Sequence, residues 1–231
     1  MTMFYMWHPA NLLMIPAIVL ALWAQWKVRS AYRKYSGVGV LSGMTGRDAA
    51  LEIMRRAGVD GVSIGMVPGE MTDHYDPTRK VVNLSEGVYG SNSVAALGIA
   101  AHEVGHAIQD AHGYAPMKLR HLMYPVSSIG STLSFPLIFA GLFFGGSGMG
   151  WLLNLGIWLF SAAVAFTVIT LPVEFNASSR AIKALAGGGY LTSDELKGVK
   201  AVLTAAALTY VAAAATAVLE LLRLLMIARD R

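Results

Sequence analysis

The sequence predicts a mainly α, polytopic membrane protein with about four transmembrane helices, a metal-binding helix and a small β-hairpin on one side of the bilayer. Three observations predict it. Hydrophobic residues make up 55% of the 231 and charged residues only 14%, against about 25% charged in an ordinary soluble domain. The apolar residues gather into four uncharged stretches, 4–26, 125–145, 151–171 and 201–219, each long enough at about 1.5 Å per residue to cross a hydrocarbon core of about 30 Å. The polar remainder holds one His-Glu-x-x-His stretch at residues 102–106. The chain reads as a single integral-membrane domain over 1–231.

The first span is retained rather than cleaved, because its cations, Lys27, Arg29, Arg33 and Lys34, follow the apolar run instead of preceding it. Trp7, Trp23 and Trp26 mark its ends as interfacial aromatics do. His8, Pro9, Asn11 and Pro16 predict an irregular first half, with His8 an interfacial residue. Residues 27–124 are water-compatible. After a glycine-bearing connector at 37–43, Thr45 and Asp48 form a capping box that opens a short amphipathic helix ending near Gly58. Residues 62–67 alternate as a strand does, and 71–75 with 80–84 form the arms of a hairpin turning at 76–79, with Pro77 at the second turn position. Such an edge can receive a peptide as an added strand, or serve only as scaffold.

Ser91 or Ser93 caps the next helix, which ends before Gly113. Within it His102 and His106 stand one turn apart on one face, so two imidazoles can converge on one ion. Glu103, about 100° round the helix, can reach a water beside that ion without being a ligand. Two neutral nitrogens, an open position and a carboxylate base are what a zinc hydrolase needs. The chain has no cysteine, so any such site uses nitrogen and oxygen ligands alone.

The spans 125–145 and 151–171 are separated only by a glycine-rich turn, so whatever precedes the first and follows the second must share one side of the membrane. Residues 172–181 are thereby placed beside the metal helix. Glu174 is expected at the start of a further helix, with Ser178 one turn on. A carboxylate emerging beside a membrane hairpin is costly without a partner, and a nearby cation supplies one. Glu174 is therefore read as the third metal ligand, the alternative being a helix-start carboxylate that complements the helix dipole. A second capping box at Thr192 and Glu195 begins the last helix, whose alanines, Thr204 and Thr209 suit close packing in a membrane, as does Tyr210.

Residues 73–77 (DHYDP), 93–109 (SVAALGIAAHEVGHAIQ), 172–181 (PVEFNASSRA) and 206–212 (AALTYVA) together resemble the bacterial YugP-type neutral zinc metallopeptidases over nearly the whole chain. More remotely the layout is similar to HtpX and the CAAX prenyl proteases, with a zincin-like metal helix. The resemblance implies one zinc ion per chain, a peptide or protein substrate, metal ligands His102, His106 and Glu174, and Glu103 as general base. In the remoter families an aspartate stands four residues after the glutamate ligand; here that position is Ser178, whose hydroxyl can still hydrogen-bond a ligand. His121, Tyr75 and Arg180 are the candidate donors to an oxyanion. The same ligands would also serve a hydrolase of a non-peptide amide, or a non-catalytic membrane scaffold with a structural metal.

Segments 27–124 and 172–200 carry 15 of the 18 Lys and Arg, leaving only Arg223, Arg229 and Arg231 elsewhere. Basic loops stay inside, so the expected setting is the plasma membrane with the catalytic side cytoplasmic. Four full spans would leave Arg223, Arg229 and Arg231 at the outer face, which counts against that orientation unless the last segment fails to cross fully. Since the cations follow the membrane boundary and form no recognition motif, no nucleic-acid partner is expected.

Overall fold

The computed structural model describes residues 8–145 and 148–230. The start of the first expected span with Trp7, two residues of the glycine-rich turn (146 and 147) and Arg231 lie outside the described residues. A 3-10 turn at Pro9–Leu13 leads into α1 (Met14–Ser36). There follow α2 (Gly46–Arg56), β1 (Ser63–Val67), β2 (His74–Asp76), β3 (Val81–Ser85), α3 (Glu86–Tyr89) and α4 (Val94–Ala111). Three long helices complete the chain: α5 (Ala115–Phe144), α6 (Trp151–Gly188) and α7 (Ser193–Arg229). Among the described residues, four segments, Pro9–Ser36, Ala115–Phe144, Trp151–Gly188 and Ser193–Arg229, are long and apolar enough to cross a membrane. The fold is thus mainly α and polytopic, with one small sheet. It divides into two compact units, one of residues 1–23, 119–171 and 210–231 and the other of 24–118 and 172–209.

In the first unit, large apolar side chains point outward along the helices, among them Leu12, Ile15, Leu22, Leu133, Phe139 and Trp158. That is the arrangement a lipid solvent favours, and it leaves helix association to close packing of small residues. Glycine supplies it: a Cβ on Gly130 would lie 2.7 Å from the Leu159 carbonyl oxygen, and one on Gly156 would lie 2.8 Å from that of Ser134. The backbones of α5 and α6 therefore touch, in an antiparallel pair closed by the Phe135 and Phe160 rings, 5.4 Å apart. Hydroxyls of Ser131, Thr132, Ser161 and Thr167 donate to carbonyls three or four residues back, satisfying themselves within their helices.

The stretch from His8 into α1 pairs in antiparallel order with α7 and the residue that follows it. His8 meets Asp230 at 3.0 Å, Arg223 donates to Asn11 Oδ1 at 2.9 Å, and the Thr216 hydroxyl reaches the Ala17 carbonyl at 3.5 Å. Arg223 also grips Glu220 through Nε and Nη2, at 2.7 and 2.5 Å. Arg223, one of the three arginines that four full spans would leave at the outer face, is thus paired within its own helix. A fork-on-carboxylate pair is a far smaller obstacle at a membrane face than a bare guanidinium.

The second unit surrounds α4. β3 is the centre of a three-stranded sheet, antiparallel to β2 with Tyr75 opposite Val82, and parallel to β1 with Gly65 opposite Asn83. The expected hairpin is present, although its first arm is shorter than 71–75: Met71 has a φ of 57° and lies outside the strand. Asp76 Oδ1 accepts from the N–H groups of Thr78 and Arg79 and so forms the turn. Thr45 and Asp48 cap α2 reciprocally, and Thr192 and Glu195 do the same for α7. Glu195 has a second task, accepting from the Leu41 N–H at 2.7 Å. The core is built from Val82, Leu84, Leu97, Val104, Val173, Leu185 and Val199, all less than 1% exposed.

One expectation is corrected. No new helix begins near Glu174, because α6 runs unbroken from Trp151 through Pro172 to Gly188. Proline removes one N–H, that which would bond the Val168 carbonyl. Ending one helix and starting another in an apolar setting would strand several such groups. Glu174 therefore lies far from the first turn of its helix, and the dipole explanation for its presence falls away.

Candidate metal centre

Ser93 opens α4 by accepting from the Ala96 N–H, and Gly113, at a φ of 62°, follows its end at His112. Between these caps the helix is made of small residues on the faces it buries. At Gly105, between the two histidines, an added Cβ would lie 2.6 Å from the Ala177 carbonyl oxygen and 3.1 Å from its Cα. The metal helix and α6 thus approach backbone to backbone at this level, and that closeness lets a side chain on α6 meet two on α4. Gly105→Ala is expected to cost about 1–3 kcal/mol through overpacking. The readout is a lower midpoint for thermal unfolding in detergent, together with weaker zinc retention as the helices part.

The side chains brought together are His102, His106 and Glu174. Glu174 Oε2 lies 3.2 Å from His102 Nε2 and 3.5 Å from His106 Nε2, and one ligand atom from each residue falls within 4.8 Å of the others. The two rings stand edge to face, centroids 4.8 Å apart. Ligands about 2.0–2.1 Å from a tetrahedral zinc are separated from one another by roughly 3.3 Å. The two nitrogen–oxygen separations bracket that value, so the carboxylate is spaced to share an ion with either imidazole. The donor set, two imidazoles and a carboxylate, is also that of a zinc site with an open position. Burial adds to the case, since Glu174 is only 2% exposed and carries its charge between two rings.

Each ring is held from behind. His102 Nδ1 pairs with Ser178 Oγ at 3.1 Å, and His106 Nδ1 with Gln109 Oε1 at 3.0 Å. Both Nε2 atoms therefore face Glu174, as ligand atoms must. Burial of the His106 ring opposes its protonation, but hydrogen bonding to Glu174 and the charges of Glu103 and Glu174 outweigh it and raise its pKa above the usual value. Glu103 itself is buried, on the turn between the histidines.

Two of the three candidate oxyanion donors, Tyr75 and Arg180, are engaged in other hydrogen bonds. The Tyr75 hydroxyl donates to Asp110 Oδ2 at 2.7 Å, which Lys80 Nζ also reaches at 2.5 Å. Burial first, then that carboxylate, push the phenol upward, so Tyr75 remains a neutral donor. With Lys80, held at a φ of 56°, it pins the hairpin to the metal helix. Arg180 Nε donates to Asn176 Oδ1 at 2.7 Å. His121 belongs to the first unit, whereas His102, His106 and Glu174 all belong to the second.

Sequence reasoning missed Gln109, which is wholly buried, and Asn176. Gln109 Nε2 donates to the Val173 carbonyl at 2.7 Å and to Asn176 Oδ1 at 3.0 Å, tying α4 to α6. The available signal was a polar amide one turn after His106 on an otherwise apolar helix.

Comparison with known proteins points to a zinc metallopeptidase family. The family described as "Putative neutral zinc metallopeptidase" matches residues 10–229. "Putative membrane protease YugP" of Bacillus subtilis (strain 168) is 50% identical over 215 residues, covering 93% of this chain and 94% of the relative. No solved structure matches. Matched along almost its full length by that family and half-identical to a curated relative, the chain belongs to the neutral zinc metallopeptidases so described.

Proposed function

We propose that the protein is an integral-membrane, zinc-dependent endopeptidase, with one ion per chain held by His102, His106 and Glu174 and with Glu103 as general base. The observation that carries this reading is the convergence of two imidazole Nε2 atoms on one buried carboxylate oxygen, at 3.2 and 3.5 Å, with all three ligand atoms within 4.8 Å of one another. When bound, zinc supplies Lewis acidity, enough to bring the pKa of a coordinated water to about 7 and to polarise a carbonyl. Glu103 takes the proton from the attacking water as its oxygen bonds to the scissile carbon. The same carboxyl group then hands that proton to the nitrogen as the C–N bond breaks, returning to its starting state. Glu174 holds the negative charge that balances the ion, and its burial keeps that charge in place.

The test is cleavage of an unfolded protein such as casein by purified protein in detergent, alongside metal analysis. About one zinc per chain and cleavage abolished by chelation and restored by zinc are expected. Absence of zinc, or cleavage indifferent to chelation, would overturn the reading.

The proposed setting is the plasma membrane with the metal centre on the cytoplasmic side, supported by the 15 of 18 cations in segments 27–124 and 172–200. Because the chain lacks cysteine, one introduced thiol reports topology without background. Asp60→Cys, at an exposed position before β1, is expected to react with an impermeant maleimide only after the cells are opened.

A further inference from the structure

We propose that Gln109 is a positioning residue that locks His106 in its Nδ1–H tautomer, with its own orientation dictated by the Val173 carbonyl and by Arg180 acting through Asn176. The inference rests on the reading of His106 as a zinc ligand and deepens it.

The argument runs inward from a group whose hydrogen-bonding role is beyond choice. A guanidinium can only donate. Arg180 Nε lies 2.7 Å from one end of the Asn176 amide, so that end must be the oxygen. The same oxygen sits 3.0 Å from one end of the Gln109 amide, which also faces the Val173 carbonyl at 2.7 Å. Two acceptors against one amide terminus require it to be the NH2 group. Its other end, the carbonyl oxygen, is then the atom 3.0 Å from His106 Nδ1. An oxygen there accepts a proton, so Nδ1 carries it and the lone pair is left on Nε2, which points toward Glu174. Free neutral imidazole is under no such constraint, and the wrong tautomer would present an N–H to the metal. Gln109 is fully buried, so no water can substitute for either of its partners at low cost.

His102 is held differently. Its Nδ1 meets a serine hydroxyl, which can donate or accept as required and imposes no tautomer. Selection is therefore concentrated at the second histidine of the motif. The Gln109 bonds to α6 give the same residue a second effect, fixing the spacing between the helix of the imidazoles and that of the carboxylate.

The experiment uses full-length protein in detergent and two readouts. Two-bond proton–nitrogen NMR on histidine-labelled, zinc-loaded wild type, with His106 assigned by His106→Asn, is expected to show a protonated Nδ1. Zinc on Nδ1, or a protonated Nε2, would overturn the proposal whatever any variant does. Chelator competition then compares Gln109→Leu with wild type, with folding checked by circular dichroism and gel filtration. A 10–100-fold loss of zinc affinity is expected. Asn176→Asp, which keeps the acceptor for Arg180 and Gln109, should remain within a few-fold of wild type. A folded Gln109→Leu protein that binds zinc as wild type does, even with a lower unfolding midpoint, would show a packing role only and sink the inference. Failure of wild type itself to bind zinc would instead sink the underlying metal reading.

Discussion

Glu103→Gln is expected to retain about one zinc per chain and to lose peptide hydrolysis by at least 100-fold. The two halves of that result have separate physical origins. Zinc stays because the atoms that converge on one point belong to His102, His106 and Glu174, and Glu103 is not among them. Glutamine matches glutamate in shape, so the buried turn between the histidines and the close approach at Gly105 are undisturbed. Hydrolysis fails because an amide cannot accept the proton of the attacking water or pass it to the leaving nitrogen. Positioned acid–base groups contribute about 10²–10⁴-fold. Metal analysis and casein cleavage on one preparation decide the matter. Full turnover would remove Glu103 from the reaction, and lost zinc would recast it as a ligand or a structural support.

Much of this site is legible in the sequence because its decisive relations are local or topological. His102 and His106 lie one helical turn apart, and the Ser93 cap with Gly113 bounds their helix. Glu174 is reached by a longer step: two uncharged spans joined by a short turn return the chain to the side it left, and only one glutamate lies between the motif and Glu195. The rest depends on facts that appear only when two helices face each other. Gly105 looks like a tolerated weak spot in a helix until the Ala177 backbone is found against it. Gln109 and Asn176 look like isolated polar residues until α4 and α6 are laid side by side. The expectation of a helix start at Glu174 followed a soluble-protein habit. Where water cannot satisfy frayed ends, continuity of the helix outweighs one missing N–H. The parallel pairing of β1 with β3 was equally hidden, since adjacent strands in sequence suggest hairpins and say nothing of a third strand from outside.

Glu174→Ala should remove most of the zinc, beyond the 10–100-fold that changes behind the ligands bring about. Two imidazoles remain after the substitution, but both are neutral donors, and the only negative charge among the three converging groups is gone. Nothing else among the described residues brings a carboxylate within the same set of ligand atoms. Glu174→Gln separates charge from shape: it keeps an oxygen in place and fills the buried volume, yet should bind zinc far more weakly than wild type because a neutral amide oxygen lacks the negative charge with which a carboxylate holds zinc. The alanine variant also leaves a cavity at a site only 2% exposed, so some loss of stability is expected of it. Glutamine should show the zinc defect with little of that loss. If both variants retained wild-type zinc content, the third ligand would have to be sought elsewhere. If only alanine lost zinc, the carboxylate would be acting by filling space rather than by its charge.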